Sequence, residues 1–132
     1  MRIKVALVGN PNTGKSSLFN ALTGLKQHVG NFPGVTVSKK SGVLKSGTQE
    51  VELIDLPGTY SIYPRSKDEE VVYDILNNPK HADYPDLVCV IVDTSNLERN
   101  LLLFTQVYEL GLPTVLVLNM SDVAHRKGIT FN

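Results

Sequence analysis

The sequence predicts an α/β domain with a mostly parallel sheet, one antiparallel hairpin strand, and helices on both faces. Apolar runs suited to buried strands alternate with amphipathic helical stretches, and two stretches near the middle alternate as hairpin arms do. Strands that alternate with helices form parallel sheets with right-handed crossovers, and the hairpin supplies the strand that runs the other way.

The first half of the chain predicts a strand, a helix, a long loop and a hairpin. The bounds are Ile3–Val8 for the strand, Lys15–Thr23 for the helix with its end near Gly24, Leu25–Gly34 for the loop, and Val35–Lys45 and Thr48–Asp55 for the hairpin arms around Ser46-Gly47. Many breakers without a sustained period indicate the loop, and alternation around a glycine turn indicates the hairpin.

The second half predicts two more helices and two buried strands. The bounds are Thr59–Ser66 for a loop, Asp68–Asn77 for a helix, Leu87–Val92 for a strand, Leu97–Leu110 for a helix capped by Ser95 or Asn96 and stopped by Gly111, and Thr114–Leu118 for a strand. Acidic residues open the first of these helices, as the helix dipole prefers.

Composition bounds the class of protein. The 132 residues balance 13 basic against 13 acidic side chains, which argues against a dominant nucleic-acid role. No apolar run reaches about 18 residues, so we expect this chain itself to be soluble. Cys89 has no internal partner and is predicted to be a buried core thiol. His28, His81 and His125 lack metal-ligand spacing and are predicted to be solvent-exposed in loops.

A phosphate-binding pattern follows the first strand. Gly9-Asn10-Pro11-Asn12-Thr13-Gly14-Lys15-Ser16-Ser17 fits Gly, four residues, Gly-Lys-Ser/Thr, and a helix follows it. Backbone N–H groups of such a loop and the helix N-terminus attract phosphate oxygens. We expect Lys15 to reach the β- and γ-phosphates and Ser16 to bind Mg²⁺. The alternative is a glycine-rich turn that binds nothing.

Two further motifs end strands at the same predicted sheet edge. Asp55-Leu56-Pro57-Gly58 fits Asp-x-x-Gly, in which the acid holds Mg²⁺ and the glycine N–H meets a γ-phosphate; the alternative is a plain turn. Asn119-Met120-Ser121-Asp122 fits Asn-x-x-Asp, whose carboxylate accepts from the ring N–H and amine of guanine; the alternative is an Asx turn. Convergence at one edge favours a nucleotide site.

With these motifs the chain resembles translation-factor-class GTPases, and more narrowly the N-terminal cytosolic G domain of the ferrous iron transport protein B family. The phrases that carry the resemblance are Gly9–Ser16, Val29-Gly-Asn-Phe-Pro-Gly-Val-Thr36-Val37, Asp55-Leu-Pro-Gly-Thr-Tyr-Ser61 and Asn96-Leu-Glu-Arg-Asn-Leu101. The resemblance runs from Met1 to about Asp122. It implies a Ras-like P-loop GTPase fold, the cofactors GTP or GDP and Mg²⁺, and a switch in a bacterial ferrous iron transporter at the cytoplasmic face of the inner membrane.

The resemblance also implies roles residue by residue. Thr36 would join Ser16 on Mg²⁺ and contact the γ-phosphate; Leu25–Thr36 would be switch I and Gly58 to about Glu69 switch II. Asn12 resembles an asparagine that helps hold K⁺ in potassium-activated relatives, with a loop-capping amide as the alternative. Lys15, Thr36, Gly58 and Asn12 form the predicted catalytic set. The predicted nucleotide-binding set is Gly9, Asn10, Asn12, Thr13, Gly14, Lys15, Ser16, Ser17, Gly34, Thr36, Asp55, Gly58, Asn119, Met120 and Asp122.

Several positions depart from the pattern. Thr59 stands where Ras-type GTPases have a water-orienting glutamine, so slow hydrolysis is expected. Phe32 replaces a frequent tryptophan, and Met120 the usual lysine of Asn-Lys-x-Asp. A guanine-specificity loop, a last strand and a closing helix would lie beyond Asn132, so residues 1–132 are predicted to be a partial G domain with weakened nucleotide affinity.

Other functions remain open at this point. In a non-catalytic guanine-nucleotide-sensing module, the binding of GTP or GDP alone would set the conformation, and the missing glutamine favours this alternative. An RNA- or ribosome-associated GTPase is disfavoured by the neutral charge, and a P-loop enzyme that uses ATP by Asp122. The expected partners are guanine nucleotide and the transporter's own helical and transmembrane regions, without nucleic acid; an oligomer could form through the full-length protein.

Overall fold

The computed structural model describes residues 2–11, 13–24, 27–94 and 97–119, with only the backbone described for Ser46, Arg99 and Asn119. Within these ranges the chain forms alternating strands and helices. The elements are β1 Arg2–Gly9, α1 Lys15–Thr23, β2 Gln27–Asn31, β3 Ser38–Ser46, β4 Gln49–Asp55, α2 Lys67–Asn77, β5 Leu87–Asp93, α3 Leu97–Glu109 and β6 Thr114–Asn119.

The strands form one sheet in the order β2-β3-β4-β1-β5-β6. Strand β3 runs antiparallel to both of its neighbours, whereas β1 pairs in parallel with β4 and β5, and β5 with β6. The predicted sheet, mostly parallel with one antiparallel strand, is therefore confirmed. The register places Leu7 opposite Asp55 and Asp93 opposite Asn119, so the carboxyl ends of the parallel strands meet at one edge.

Apolar side chains fill both faces of the sheet. Alternation along β1 sends Val5 and Leu7 to the face where Phe19 of α1 packs. The neighbouring Ala6 and Val8 belong to the cluster on the other face. That second cluster includes Val71, Val72, Ile75 and Leu76 of α2 and Leu103 and Val107 of α3. The prediction of helices on both faces is confirmed.

The predicted loop over Leu25–Gly34 is wrong in its middle. Residues Gln27–Asn31 form β2, which pairs antiparallel with β3 from Gln27 opposite Gly42 to Asn31 opposite Ser38. Four of its five residues are exposed, so the strand has no buried face to give it apolar alternation. It is specified by its pairing partner rather than by its own pattern. Leu25 and Lys26 lie outside the described residues.

The first hairpin arm begins later than predicted, at Ser38 instead of Val35. Gly34 has a φ of 76°, and the Phe32 N–H donates to the Val37 carbonyl over 3.0 Å, so residues 32–37 form a turn. With β2 added, Asp55 ends the fourth strand and Asn119 the sixth, one place later than the sequence predicted. The shift leaves both residues at the same sheet edge.

The cysteine and histidine predictions hold in part. Cys89 is half-buried on β5 rather than fully buried, and this burial raises the pKa of its thiol. His28 is exposed, although on β2 instead of in a loop. His81 is half-buried and its Nδ1 accepts a 3.0 Å hydrogen bond from the Asp83 N–H, so the prediction of exposure is wrong there. His125 lies outside the described residues. Within those residues no helix is long and apolar enough to span a membrane.

Candidate functional site

The phosphate loop connects β1 to α1 by a path that two glycines permit. A Cβ on Gly9 would lie 2.8 Å from the Ile91 carbonyl oxygen, so no larger residue fits there. Gly14 has a φ of 85° and its carbonyl accepts from the Leu18 N–H at 2.9 Å, which starts the helix. Inside the loop the Thr13 hydroxyl donates to the Asn10 carbonyl over 3.0 Å. The two glycines and the Thr13 hydrogen bond thus define where the loop leaves β1 and where it enters α1.

Lys15 and Asp55 form a buried ion pair at the mouth of this loop. The Lys15 Nζ donates to Asp55 Oδ1, and each side chain is 7% exposed. The Ser16 hydroxyl donates to the other carboxylate oxygen over 3.2 Å. Three residues from two sequence motifs therefore meet, with charged hydrogen bonds in a setting where water screens little.

The segment after Asp55 folds back onto the phosphate loop. A Cβ on Gly58 would approach Pro11 to 3.2 Å, so this glycine permits the two backbones to pack closely. The Thr59 N–H donates to the Gly9 carbonyl at 2.9 Å, and Thr59 is completely buried. Its Oγ1 lies 2.5 Å from the Ser61 carbonyl oxygen and 2.9 Å from Glu69 Oε2. The Thr59 hydroxyl is therefore engaged within the protein.

One carboxylate closes the loop that follows. While Glu69 Oε2 lies beside Thr59, its Oε1 accepts from the Arg65 N–H over 2.8 Å. Glu69 also donates its own backbone N–H to the side chain of Ser66, the N-cap of α2, over 3.2 Å. This arrangement is a variant of the capping box, and it joins both ends of residues 59–66 to the first turn of α2.

Residues 32–39 are held by contacts with the core and with Asp83. Phe32 and Val37 are buried in the cluster beneath α2 and α3, at 2% and 9% exposure. Lys39 Nζ pairs with Asp83 Oδ1 at 2.6 Å and lies 6.0 Å from the centre of the Phe32 ring. Thr36, between the two apolar anchors, is exposed. The turn is held at its sides while its centre faces the cavity.

Two adjoining cavities, each of about 340 Å³, join these segments. One is lined by the phosphate loop: Asn10, Pro11, Gly14, Lys15, Ser16, Ser17 and Gly58. The other is lined by Lys15, Ser16, Thr36, Val37, Ser38, Lys40, Asp55, Leu56, Pro57, Gly58 and Asp68. The structure thus brings together Lys15, Ser16, Thr36, Asp55 and Gly58, as the motifs predict for neighbouring strand ends.

Some predicted residues lie elsewhere or outside the description. Gly34 lines a separate cavity of about 280 Å³, between residues 34–37 and α2. Asn119 ends β6 beside Asp93, and its side chain is not described. The predicted residues Asn12, Met120 and Asp122 lie outside the described residues.

Asn10 places a buried side-chain amide in the phosphate loop. The residue is 3% exposed, and neither Oδ1 nor Nδ2 finds a hydrogen-bond partner among the described residues. A buried unpaired polar group costs about 1–3 kcal/mol, and such groups concentrate at functional sites. Gly9 and Thr13 complete the loop around it through the contacts given above.

Lys40, Ser38 and Asp68 line the second cavity although the motifs do not include them. Lys40 lies opposite Asp55 in the β3–β4 ladder. The hairpin prediction alone could have found it, because directly paired residues share a face of the sheet. Asp68 has no comparable sequence signal, because its position depends on how α2 packs.

Comparison with known proteins bears on the whole chain. Residues 3–132 match the sequence model of a family described as ferrous iron transport protein B. A curated Fe(2+) transport protein A/Fe(2+) transporter FeoB fusion protein of Porphyromonas gingivalis is 51% identical over 98% of this chain. The Fe(2+) transporter FeoB of Escherichia coli K12 is 44% identical over 97%. The chain spans only 15% and 17% of the lengths of these two relatives.

Solved structures agree with this assignment. The G domain of the T. maritima FeoB iron transporter superposes with a TM-score of 0.88 at 44% identity, over 96% of this chain and 77% of that one. A point mutant of S. thermophilus NFeoB bound to GDP gives a TM-score of 0.86 at 46% identity, over 98% of this chain and 49% of that one. With a matching family model and relatives above 40% identity, the chain belongs to the ferrous iron transport protein B family and has the Ras-like α/β fold of its G domain.

Proposed function

We propose that this chain binds GTP and hydrolyses it slowly to GDP and phosphate, as the switch domain of a bacterial ferrous iron transporter. The observation that carries the proposal is one cavity that combines Lys15, Ser16, Thr36, Asp55 and Gly58. Phosphoryl transfer needs charges and donors positioned in this way, since the protein contributes positioning and electrostatic stabilisation more than covalent steps.

Lys15 and the loop backbone would hold the phosphates. The ammonium group lies beside the start of α1, where free N–H groups and the helix dipole also attract anions. A γ-phosphate would compete with Asp55 for the Lys15 ammonium group. Because the pair is buried and water screens charges little there, the Lys15 ammonium group would bind strongly either to the Asp55 carboxylate or to the γ-phosphate.

Ser16 and Asp55 fit a Mg²⁺ site. Their hydroxyl and carboxylate oxygens are the hard ligands that Mg²⁺ prefers, and the two side chains already lie 3.2 Å apart. Thr36 lines the same cavity and supplies a second hydroxyl, as the family resemblance implies. When bound, Mg²⁺ would neutralise negative charge on the phosphates. Ser16, Asp55 and Thr36 would orient it through their oxygen atoms.

Hydrolysis is expected to be slow because Thr59, at the position of the Ras-type glutamine, does not orient the attacking water. Its side chain is fully buried and its hydroxyl is held by Ser61 and Glu69, so it does not face the cavity. The Gly58 N–H remains as a backbone donor beside the proposed γ-phosphate. Asn12 is proposed to hold K⁺ there, on the strength of its place in the phosphate-loop pattern.

Guanine is the proposed base and the inner membrane the proposed setting. The Asn119-Met120-Ser121-Asp122 motif carries the base assignment, and an S. thermophilus relative is described as bound to GDP. Relatives named as Fe(2+) transporters support a place on the cytoplasmic side of that membrane, with the transporter's helical and transmembrane regions as partners. No nucleic-acid partner is proposed.

Single-turnover hydrolysis of labelled GTP tests the proposal. With Mg²⁺ and KCl we expect phosphate release above background, less in NaCl and none with chelator. Ser16→Ala should lose the Mg²⁺-dependent rate, whereas Thr105→Ala, which removes an exposed hydroxyl from α3, should keep it. Equal rates in both salts would remove only the potassium role.

A non-catalytic sensing module is the second candidate, favoured by the engaged Thr59 hydroxyl. Tight GTP and GDP binding without turnover in either salt would establish it and overturn the enzyme.

A further inference from the structure

We propose that Lys40 is a second phosphate-contacting lysine, whose ammonium group binds the γ-phosphate of GTP and so helps the site to distinguish GTP from GDP. The inference rests on the proposed function, since it presupposes a nucleotide in the cavity. It adds a residue that none of the sequence motifs includes.

The sheet register puts Lys40 at the site. Lys40 of β3 lies directly opposite Asp55 of β4 in an antiparallel ladder. Directly opposed residues point to the same face, with Cβ atoms about 5 Å apart. Asp55 is the carboxylate that meets Lys15 and Ser16. The Cβ atom of Lys40 therefore lies close enough for its side chain to reach the residues proposed to bind Mg²⁺ and phosphate.

The cavity at Lys40 is the one that would hold the γ-phosphate. Of the two adjoining cavities, that with Asn10, Pro11 and Gly14 is the loop cradle for the inner phosphates. Lys40 lines the other, together with Thr36 and Asp55, while Gly58 lines both cavities where they adjoin. Thr36 and Gly58 are expected to contact the γ-phosphate. Lys40 thus faces the phosphate by which GTP differs from GDP.

The charge of Lys40 is uncommitted in the described part of the chain. Its exposed ammonium group makes no hydrogen bond or ion pair there, and it is free to turn toward a ligand. The adjacent Lys39 points to the opposite face, where Asp83 neutralises it. Lys15 is shared with Asp55. A γ-phosphate brings further negative charge, which a second ammonium group would balance through charge-assisted hydrogen bonds.

Asp68 is the competing acceptor. It lies in the first turn of α2 and lines the same cavity, and its carboxylate also lacks a described partner. If Lys40 served only to pair with Asp68, its removal would have the same consequence for GTP and GDP. The two roles can therefore be separated by comparing the two nucleotides and by removing Asp68.

The test is isothermal titration of a non-hydrolysable β,γ-imido GTP analogue and of GDP, both with Mg²⁺. For Lys40→Gln we expect the Kd of the analogue to rise about tenfold, the loss of one charged contact, while that of GDP stays within about twofold. Lys40→Arg should restore most of the affinity. Lys45→Gln makes the same charge change at the far end of β3, opposite Glu50, and should alter neither Kd.

Three outcomes would overturn the inference. An equal loss for the analogue and GDP would mean a general electrostatic effect, and no loss would mean no contact. Disappearance of the Lys40→Gln effect in an Asp68→Asn background would assign Lys40 to Asp68. If the unmodified protein bound GDP and the analogue normally, these results would leave the proposed function intact. Binding of neither nucleotide by the unmodified protein would overturn both proposals together.

Discussion

The two walls of the phosphate cavity are built in different ways. One wall is the phosphate loop with Asp55, and contacts within a few residues or between adjacent strands fix it, such as Thr13 to Asn10 and Leu7 opposite Asp55. The other wall is the turn of residues 32–37 with the start of β3. One local hydrogen bond, from the Phe32 N–H to the Val37 carbonyl, closes this turn, and side chains also hold it to distant parts of the chain: Phe32 and Val37 in the core and Lys39 on Asp83.

This difference suggests that the first wall serves nucleotide binding and the second serves conformational switching. We expect the first wall, which is held by local hydrogen bonds and by the pairing of adjacent strands, to change little when a ligand enters the cavity. The second wall, with exposed Thr36 between buried anchors and the Lys39–Asp83 pair, has side-chain contacts at which it could be released. We therefore expect substitutions in the first wall to change nucleotide affinity, together with stability where they break the Lys15–Asp55 pair, and substitutions at the anchors of the second to act on stability.

The largest effect is expected at Lys15. Lys15→Ala removes the ammonium group proposed to hold two phosphates, so the Kd for GTP and GDP should rise at least about 100-fold. It also leaves the buried Asp55 carboxylate without its cation, which should lower the free energy of unfolding by about 3 kcal/mol. Titration calorimetry and urea unfolding measure the two quantities.

Lys45→Ala is the matched control for Lys15→Ala, since Lys45 is an exposed lysine of β3 far from the cavity. It should change neither quantity. A folded Lys15→Ala protein that bound GDP with unchanged affinity would contradict the assignment of the first wall to nucleotide binding.

Phe32 tests the second wall. Phe32→Ala removes a ring that is 2% exposed, so we expect a loss of about 3–4 kcal/mol in the free energy of unfolding. Val29→Ala, in the same segment but 68% exposed, should cost less than about 0.5 kcal/mol. Urea unfolding compares the two variants. Similar small losses for both would show that the turn is not anchored in the core.

The sequence predicted the first wall better than the second for a physical reason. The helix Lys15–Thr23 was predicted with the bounds that the structure shows, because glycines, loop and helix start are local signals. The strand β2 was missed because it has no buried face to give it apolar alternation, and only pairing with β3 defines it. The burial of Phe32 likewise depends on α2 and α3, which come more than thirty residues later in the chain.

The site shows the same division. The motifs identified Lys15, Ser16, Asp55 and Gly58, which do meet in one cavity. They did not reveal that Lys15 pairs with Asp55 or that Gly58 packs on Pro11, since those contacts join segments about forty residues apart. Thr59 was recognised as a departure from the glutamine pattern, but its full burial is a property of the packed structure.

The adjacent residues Lys39 and Lys40 are assigned different roles: Lys39 anchors the second wall, and Lys40 lines the cavity. Lys39→Met leaves the Asp83 carboxylate, whose side chain is 6% exposed, without its cation, and should lower the free energy of unfolding by about 2 kcal/mol. This value is below that for a fully buried pair, since the Lys39 side chain is 25% exposed. Lys40→Met should change stability by less than about 0.5 kcal/mol. Equal losses in thermal or urea unfolding would contradict the two roles.

The smallest effect is expected at Glu69, whose carboxylate holds residues 59–66 against α2. Glu69→Ala removes the acceptor for the Arg65 N–H and the contact with Thr59, so that loop should open more often, by about 1 kcal/mol in local free energy. Hydrogen exchange at residues 59–66 measures it. Glu69→Gln should restore most of the protection, because its carbonyl can accept from Arg65 while its amide donates to the Thr59 oxygen. Glu70→Ala, on the next residue and exposed, serves as the control. If Glu69→Ala exchanged no faster than Glu70→Ala, the loop would be held by its other contacts, the Thr59 N–H to the Gly9 carbonyl and the Ile62 N–H to Gln106 Oε1, and it would belong with the first wall rather than with the second.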